Sequence, residues 1–224
     1  MKRCFLFLPL ILAGCASTPS TNVQQIFISC QQDKVRLDAR SKELQQIVKA
    51  DQDDRVDWQN KTSEQMMGVQ RRDEVRRKRV GEIFGEGCFS TAEDYAAAAL
   101  VYQHGDTPDH FFQTLIWSKR GVELGDAKQK RMMALGIDRY LVNIGHKQLF
   151  GSQATRTGPT EVSCWCLQQI EKAFPDKRRK QEAGKTLAEA FDWLKDLNAG
   201  KNCPVAECDT KLEATPKGTV PGFW

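Results

Sequence analysis

An all-α fold, a disulfide-braced helical bundle, is what this sequence predicts, and three observations carry the expectation. Apolar residues recur at helix spacing along most of the chain, and hydroxyl-and-acid caps stand ahead of several of these runs. No convincing run of strand residues is found, and six cysteines beyond residue 15 supply the braces. Hydrophobic residues make up 40% of the 224, enough for one sizeable core.

The first helix is expected from Lys34 to about Trp58, with Leu37, Leu44, Ile47 and Val48 on one face. A second runs from Ser63 to Phe84 and holds the block Arg71-Arg72-Asp73-Glu74-Val75-Arg76-Arg77-Lys78-Arg79. That block reads as a solvated face, with contact to anionic lipid or peptidoglycan carboxylates as the alternative. Ser90 with Glu93, or Thr91 one step later, marks an N-cap with its reciprocal acid. The helix opened there is expected to bury Ala92, Tyr95, Ala96, Ala99 and Leu100 before Gly105 ends it.

Thr107-Pro108 starts the next helix with proline at its first position, and Phe111, Phe112, Leu115, Ile116 and Val122 form its stripe. After the break at Gly125-Asp126, another helix runs from Ala127 to about Ile144, with Gly145 closing it. Joints this short make successive helices neighbours. The segment Trp117-x3-Gly121-x3-Gly125-Asp126-Ala127 through Leu135-Gly136 resembles one tetratricopeptide-like helical hairpin. No second copy stands at a fixed period, so the expectation is a bundle containing one such hairpin.

A loop, His146 to Pro159, then leads to an expected helix from Val162 to Phe174 and the basic run Lys177-Arg178-Arg179-Lys180. Thr186 and Glu189 form a second capping box, ahead of the stripe Leu187, Ala190, Phe191, Leu194 and Leu197. The domain organisation is therefore residues 1–14 as leader, 15–29 as linker, 30–198 as helical domain and 199–224 as a tail. The tail holds Cys203 and Cys208, and its end, Phe223-Trp224, is expected to fray.

Lys2 and Arg3, then an apolar run from Phe5 to Leu12, describe a secretory signal. The run is too short to span a bilayer, which needs about 20 residues. Leu12-Ala13-Gly14-Cys15 resembles the bacterial lipobox. The resemblance implies cleavage before Cys15 and lipidation of Cys15. With Ala16-Ser17 rather than aspartate behind the cysteine, it also implies the bacterial cell envelope, at the periplasmic face of the outer membrane. Several acyl chains on one cysteine hold firmly to a membrane. Loss of Lys2 and Arg3 lowers the formal charge from +4 to +2, which gives no nucleic-acid affinity by charge alone.

Cys30, Cys88, Cys164, Cys166, Cys203 and Cys208 are an even set for an oxidising compartment, so they read as disulfides. The preferred grouping joins Cys164 and Cys166 with Cys203 and Cys208, leaving Cys30 with Cys88. A four-thiolate zinc site is the rival, disfavoured by spacing and compartment. His104, His110 and His146 lack the His-x3-His spacing, and no phosphate-cradling glycine loop is present, so no metal or cofactor is expected.

Three helices carry polar residues where their period calls for apolar ones. Leu44, Ile47 and Val48 lead on to Asp51 and Arg55, which stand four apart and can pair. The third helix projects onto Gln103, with His104 beside it. Asp138 falls inside the stripe of Leu135 and Val142, with Arg139 at its border. Such groups must be paired when buried. They therefore predict one shared network, either a structural one or the wall of a polar groove.

The ordered set Asp51-x2-Asp54-Arg55, Gln103-His104-Gly105, Asp138-Arg139 and Gly145-x2-Gln148-Leu149-Phe150-Gly151-Ser152-Gln153 resembles a bacterial domain family, often found behind a secretion signal. The resemblance spans about residues 45–190. That family usually has threonine where this chain has Ser152, which keeps the hydroxyl. It adds site candidates and implies no reaction.

The ligand-binding candidates are Asp51, Arg55, Gln103, His104, Asp138, Arg139, Gln148 and Gln153. Ser152 lacks the strand–turn–helix setting of a nucleophile. The expected function is an envelope lipoprotein, non-catalytic, that binds or scaffolds a cell-wall or envelope protein partner through its groove. The alternative is a periplasmic hydrolase or lyase acting on a cell-wall glycan or peptide, with His104 and Asp138 as acid/base groups.

Overall fold

The computed structural model describes residues 30–157, 163–199, 201–203 and 206–224. The expected leader, Cys15 and linker lie outside these residues. The chain is built mainly from helices: α1 (Lys34–Asp53), α2 (Ser63–Gly85), α3 (Ala92–Gln103), α4 (Pro108–Glu123), α5 (Gln129–Asn143), α6 (Asp176–Ala183) and α7 (Leu187–Leu197), with strands β1 (Ala154–Thr157) and β2 (Cys164–Leu167) before α6. The all-α, disulfide-braced class holds.

Local chemistry sets the helix starts. Thr62 with Gln65, Thr91 with Asp94 and Thr186 with Glu189 form reciprocal capping boxes, and Asp33 and Thr107 cap with side-chain oxygens. Of the two caps offered at the third helix, Thr91 is the one used. The first helix stops at Asp53 rather than near Trp58. Asp57 takes a left-handed backbone (φ 53°), which a right-handed helix does not tolerate.

Helix α3 is the hub, in contact with α1, α2, α4 and α5. It buries Ala97, Ala98, Ala99 and Val101, while Ala92, Tyr95, Ala96 and Leu100 are only half-buried. The expected stripe is thus rotated and broadened, because a helix covered from several sides has no single inner face. The α4–α5 hairpin is close-packed at Gly136, where a Cβ would lie 3.1 Å from both Leu115 N and Phe111 O. One core gathers Leu44, Val80, Ile83, Phe89 and Trp117 around α3, and a second gathers Ile137, Leu141, Leu149, Phe150 and Phe174 beyond the hairpin.

Two expectations fail in the C-terminal third. The helix expected over Val162–Phe174 is absent from its described residues, and a strand occurs where none was expected. Strand β2 pairs antiparallel with β1, Thr155 opposite Cys166. The Cys-x-Cys spacing gives the reason. Alternate residues of a strand share a face, whereas in a helix they do not. Cys164 bonds Cys203 and Cys166 bonds Cys208, so both thiols must reach the same tail segment. The Asn198 side chain completes the strand's pairing, accepting from Trp165 N at 2.7 Å and donating to Trp165 O at 3.0 Å.

The expected cysteine grouping is observed, with Cys30 joined to Cys88, so the four thiolates of the zinc alternative are engaged in disulfides. The tail end is docked, not frayed. Val220 and Phe223 enter the second core, and the Trp224 indole donates to Thr215 O at 2.7 Å. Arg178 donates to Phe223 O and Gly222 O at 2.9 and 3.0 Å. The second core would be open to water without this lid of apolar side chains.

Candidate functional site

Helices α1, α3 and α5 do turn their misfit polar positions toward a common region, where they meet the loop 148–153. Asp51 is fully buried at the end of α1. His104 Nδ1 lies 3.0 and 3.1 Å from its two carboxylate oxygens, and Gln52 Nε2 donates to Oδ2 at 2.8 Å. Arg55 Nη1 stands 3.0 Å from Asp51 Oδ1 and donates to the Asp51 carbonyl at 2.8 Å. Burial by itself would raise the Asp51 carboxyl, but the hydrogen bond and charge of His104, with the charge of Arg55, hold it below its ordinary value.

The network continues into the basic block of α2. Arg55 donates to Asp73 at 2.8 Å, and Asp73 accepts from Arg76 at 2.7 Å. Arg76 also bonds Asp54, which Arg72 grips with two hydrogen bonds at 2.7 and 2.8 Å. Hydrogen bonding from Arg72 chiefly, and from Arg76 next, holds the Asp54 carboxyl far below the usual carboxylate range against the opposing pull of burial. Arg77 is buried and donates to His104 O at 3.2 Å, fixing the end of α3. The expected solvated face is therefore corrected for Asp73, Arg76 and Arg77. Val69, Asp73, Arg77 and Val80 lie on one helical stripe, the signal that could have found them.

On the other side, Asp138 is sealed at the centre of the loop. It accepts from Leu149 N (2.8 Å), Phe150 N (3.0 Å), Ser152 N (2.9 Å) and Ser152 Oγ (2.8 Å). Burial pushes its carboxyl up, opposed by these donors. Gln148 is equally sealed. Its amide donates to Gln153 O and Gln168 O at 3.0 and 2.7 Å, and its oxygen accepts from Gln153 N at 2.8 Å. Gly151 takes φ +75° with Ala190 Cβ 3.0 Å from where a side chain would begin, so only glycine fits there.

Arg139 joins the two sides. It donates to Gln103 O at 2.5 Å and to Gln153 Oε1 at 3.1 Å, over the Phe111 ring. Burial and the nearby Arg55 charge push its guanidinium down. Gln153 in turn donates to Ser152 Oγ at 3.1 Å. One polar chain thus runs from Arg72 at the surface to His104 and another from Arg139 to buried Asp138, and the two meet at the Gln103–His104 main chain at the end of α3.

All eight ligand candidates take part, yet not as expected. The pairing of His104 with Asp138 as acid and base is corrected. Asp51 is the carboxylate on His104, and every bond made by Asp138 goes to the loop. Gln103 contributes its carbonyl, while its buried Oε1 has no hydrogen-bond partner among the described residues. Ser152 gives its proton to Asp138 and is no nucleophile. Solvent reaches His104 and Arg55, whose side chains are 22% and 20% exposed, while Asp51, Asp138 and Gln148 are closed to it.

His104 Nε2 has no partner among the described residues, so it is the ring atom left to exchange a proton with water. Sequence reasoning also missed Arg179. It lies buried in the run 177–180 and donates to Leu149 O at 2.7 Å and Glu171 O at 2.6 Å.

Fold and cluster define a helical-bundle domain with a clasped polar interior. No protein-family model, no curated protein and no solved structure matches the chain.

Proposed function

We propose that this chain is a bacterial envelope lipoprotein, held by acylated Cys15 at the periplasmic face of the outer membrane, whose folded part is a non-catalytic binding or scaffold module. The observation that carries the non-catalytic reading is the engagement of Asp51, Asp73, Asp138 and Gln148 in internal hydrogen bonds. These groups clasp the helices and the loop and leave no free acid beside His104. The ordered pieces that resemble a bacterial domain family fall in this clasp, which on this reading is what such domains share. The edge left to a partner is His104 with Arg55, suited to a carboxylate or carbonyl of a cell-wall peptide or an envelope protein. Three disulfides favour an oxidising compartment, and the lipobox resemblance supplies the address.

Affinity capture from envelope extracts tests the reading. The native chain should retain a specific envelope protein or peptidoglycan fragment, and His104→Ala should weaken it without unfolding. Absence of any specific partner for the native chain overturns it. Cys15→Ala should abolish acyl labelling and release the chain from the membrane fraction.

A second reading, a hydrolase or lyase of cell-wall material, is supported by one observation: Asp51 fixes His104 through Nδ1 and leaves Nε2 unpartnered. Turnover of peptidoglycan fragments that is lost in a folded His104→Ala variant would establish it and displace the first.

A further inference from the structure

We infer a second, separate site: the cavity between α5 and the α6–α7 corner binds a carboxylate joined to a short apolar body. The cavity has a volume of about 60 Å³ and is walled by Leu135, Phe150, Ala183 and the Trp193 ring, with Arg131 and Lys185 among its lining. That is room for about four waters or the carboxyl end of such a ligand, whose apolar body would extend out through the half-open mouth.

The two cations set the ligand's charge. Several arginines of the chain meet acids, Arg40 with Glu86, Arg55 with Asp73, Arg79 with Glu43 and Arg179 with Asp176, while Arg139 and Arg178 meet carbonyls. Arg131 and Lys185 have no acidic partner within ion-pair distance among the described residues. Glu189, the acid that acts most on Lys185, is engaged by Lys180 and by Thr186 N at 2.6 Å each. Asp196 acts on Lys185 less than Arg131 does. Lys185 instead sits with Nζ 4.9 Å from the Trp193 ring centroid. Burial and the Arg131 charge push its ammonium down, a repulsion that an anion between them would relieve. The flat fork of Arg131 suits a carboxylate. Ser152, also at the wall, has its proton committed to Asp138 and adds no donor.

This site stands apart from the His104 edge, and neither depends on the other. The test follows the Trp193 indole resonance, assigned with Trp193→Phe, in the full chain in neutral-lipid nanodiscs. Hexanoate represents an acyl source and N-acetylphenylalanine a peptide C-terminus. Hexanol carries the apolar body alone and inorganic phosphate the charge alone. At least one of the two carboxylates should shift the indole saturably, and the one that binds identifies the source. Hexanol and phosphate should bind about tenfold more weakly or worse, as should that carboxylate to Arg131→Gln or Lys185→Gln. Neither side chain holds the fold together, so both variants should melt as the native chain does. No saturable shift with either carboxylate overturns the inference. So does equal binding of hexanol or phosphate, or unchanged affinity in both variants.

Discussion

Asp138 and Arg179 hold the same residue from opposite sides. The Leu149 amide donates to Asp138 Oδ1 at 2.8 Å, and the Leu149 carbonyl accepts from Arg179 Nε at 2.7 Å. Helix α5 and helix α6 thereby grip the loop 148–153 between them. That loop carries Gln153, and Gln153 orients Arg139, which reaches back to the end of α3. The loop beside the second core is thereby tied to the end of α3, the hub of the first.

Asp138→Asn should destabilise the fold by about 3 kcal/mol, because an amide nitrogen would face backbone N–H groups that have no other acceptor. Urea unfolding monitored by circular dichroism measures it. A loss under about 1 kcal/mol would mean that the carboxylate is not what holds the loop.

Arg179→Met keeps the aliphatic stem and the Phe174 contact but strands the buried Leu149 carbonyl and leaves the Glu171 carbonyl with Phe174 N alone. The expected cost is about 2–4 kcal/mol. Combined with Asp138→Asn, the total should fall short of the sum, since either change frees the same loop. Strict additivity in a double-mutant cycle would show two independent contacts instead.

Acid should unfold the protein from its carboxylates. The Arg72 hydrogen bond holds Asp54 low, the Arg79 hydrogen bond lowers Glu43, and Lys180 with Thr186 brings Glu189 down to about 2. A carboxyl depressed in the folded state contributes stability above its unfolded value, about 4, and loses it as pH falls toward the folded value. Urea midpoints should fall slightly between about pH 7 and 5, where burial holds His110 below its ordinary value, and drop further below about pH 4. Asp54→Asn should start lower at neutral pH and lose less on acidification. Stability that climbs as pH falls would contradict the linkage.

Peptide mapping without reductant should return Cys30–Cys88, Cys164–Cys203 and Cys166–Cys208. Removing the first pair as Cys30→Ala/Cys88→Ala reopens a span of 58 residues and should cost about 4 kcal/mol by the chain-entropy account. A crosswise product, Cys164–Cys208, would refute the strand geometry at β2, because it reverses the order in which the tail crosses it.

Much of the fold was readable from local pattern. Apolar period, with Pro108 at the start of α4 and the Thr186–Glu189 cap at α7, placed α2, α4 and α7 nearly to the residue, since these signals act within a few residues of where they are written. The inward turn of Asp51, Gln103 and Asp138 was equally readable, because each interrupts an apolar stripe. The partner of each was not. His104 and Asp138 looked like a pair from rotation alone, yet Asp51 holds the imidazole and the 148–153 loop takes the other carboxylate. The solvated reading of the block Arg71–Arg79 held for its exposed residues and failed at Asp73, Arg76 and Arg77 for a related reason: composition counts charges, while only neighbouring helices decide whether Arg55 and Asp54 wait opposite them.

By itself the sequence determined the helices, their caps, the polar positions that must face inward and the cysteines that must share a region. Each of these follows from spacing along one segment. Only the tertiary structure decided which acid meets which base, that Cys164-Trp165-Cys166 is a strand and that Phe223 is buried. Those outcomes depend on surfaces brought together from far along the chain. There the cost of leaving a charge unpaired or an apolar core uncovered selects the partner.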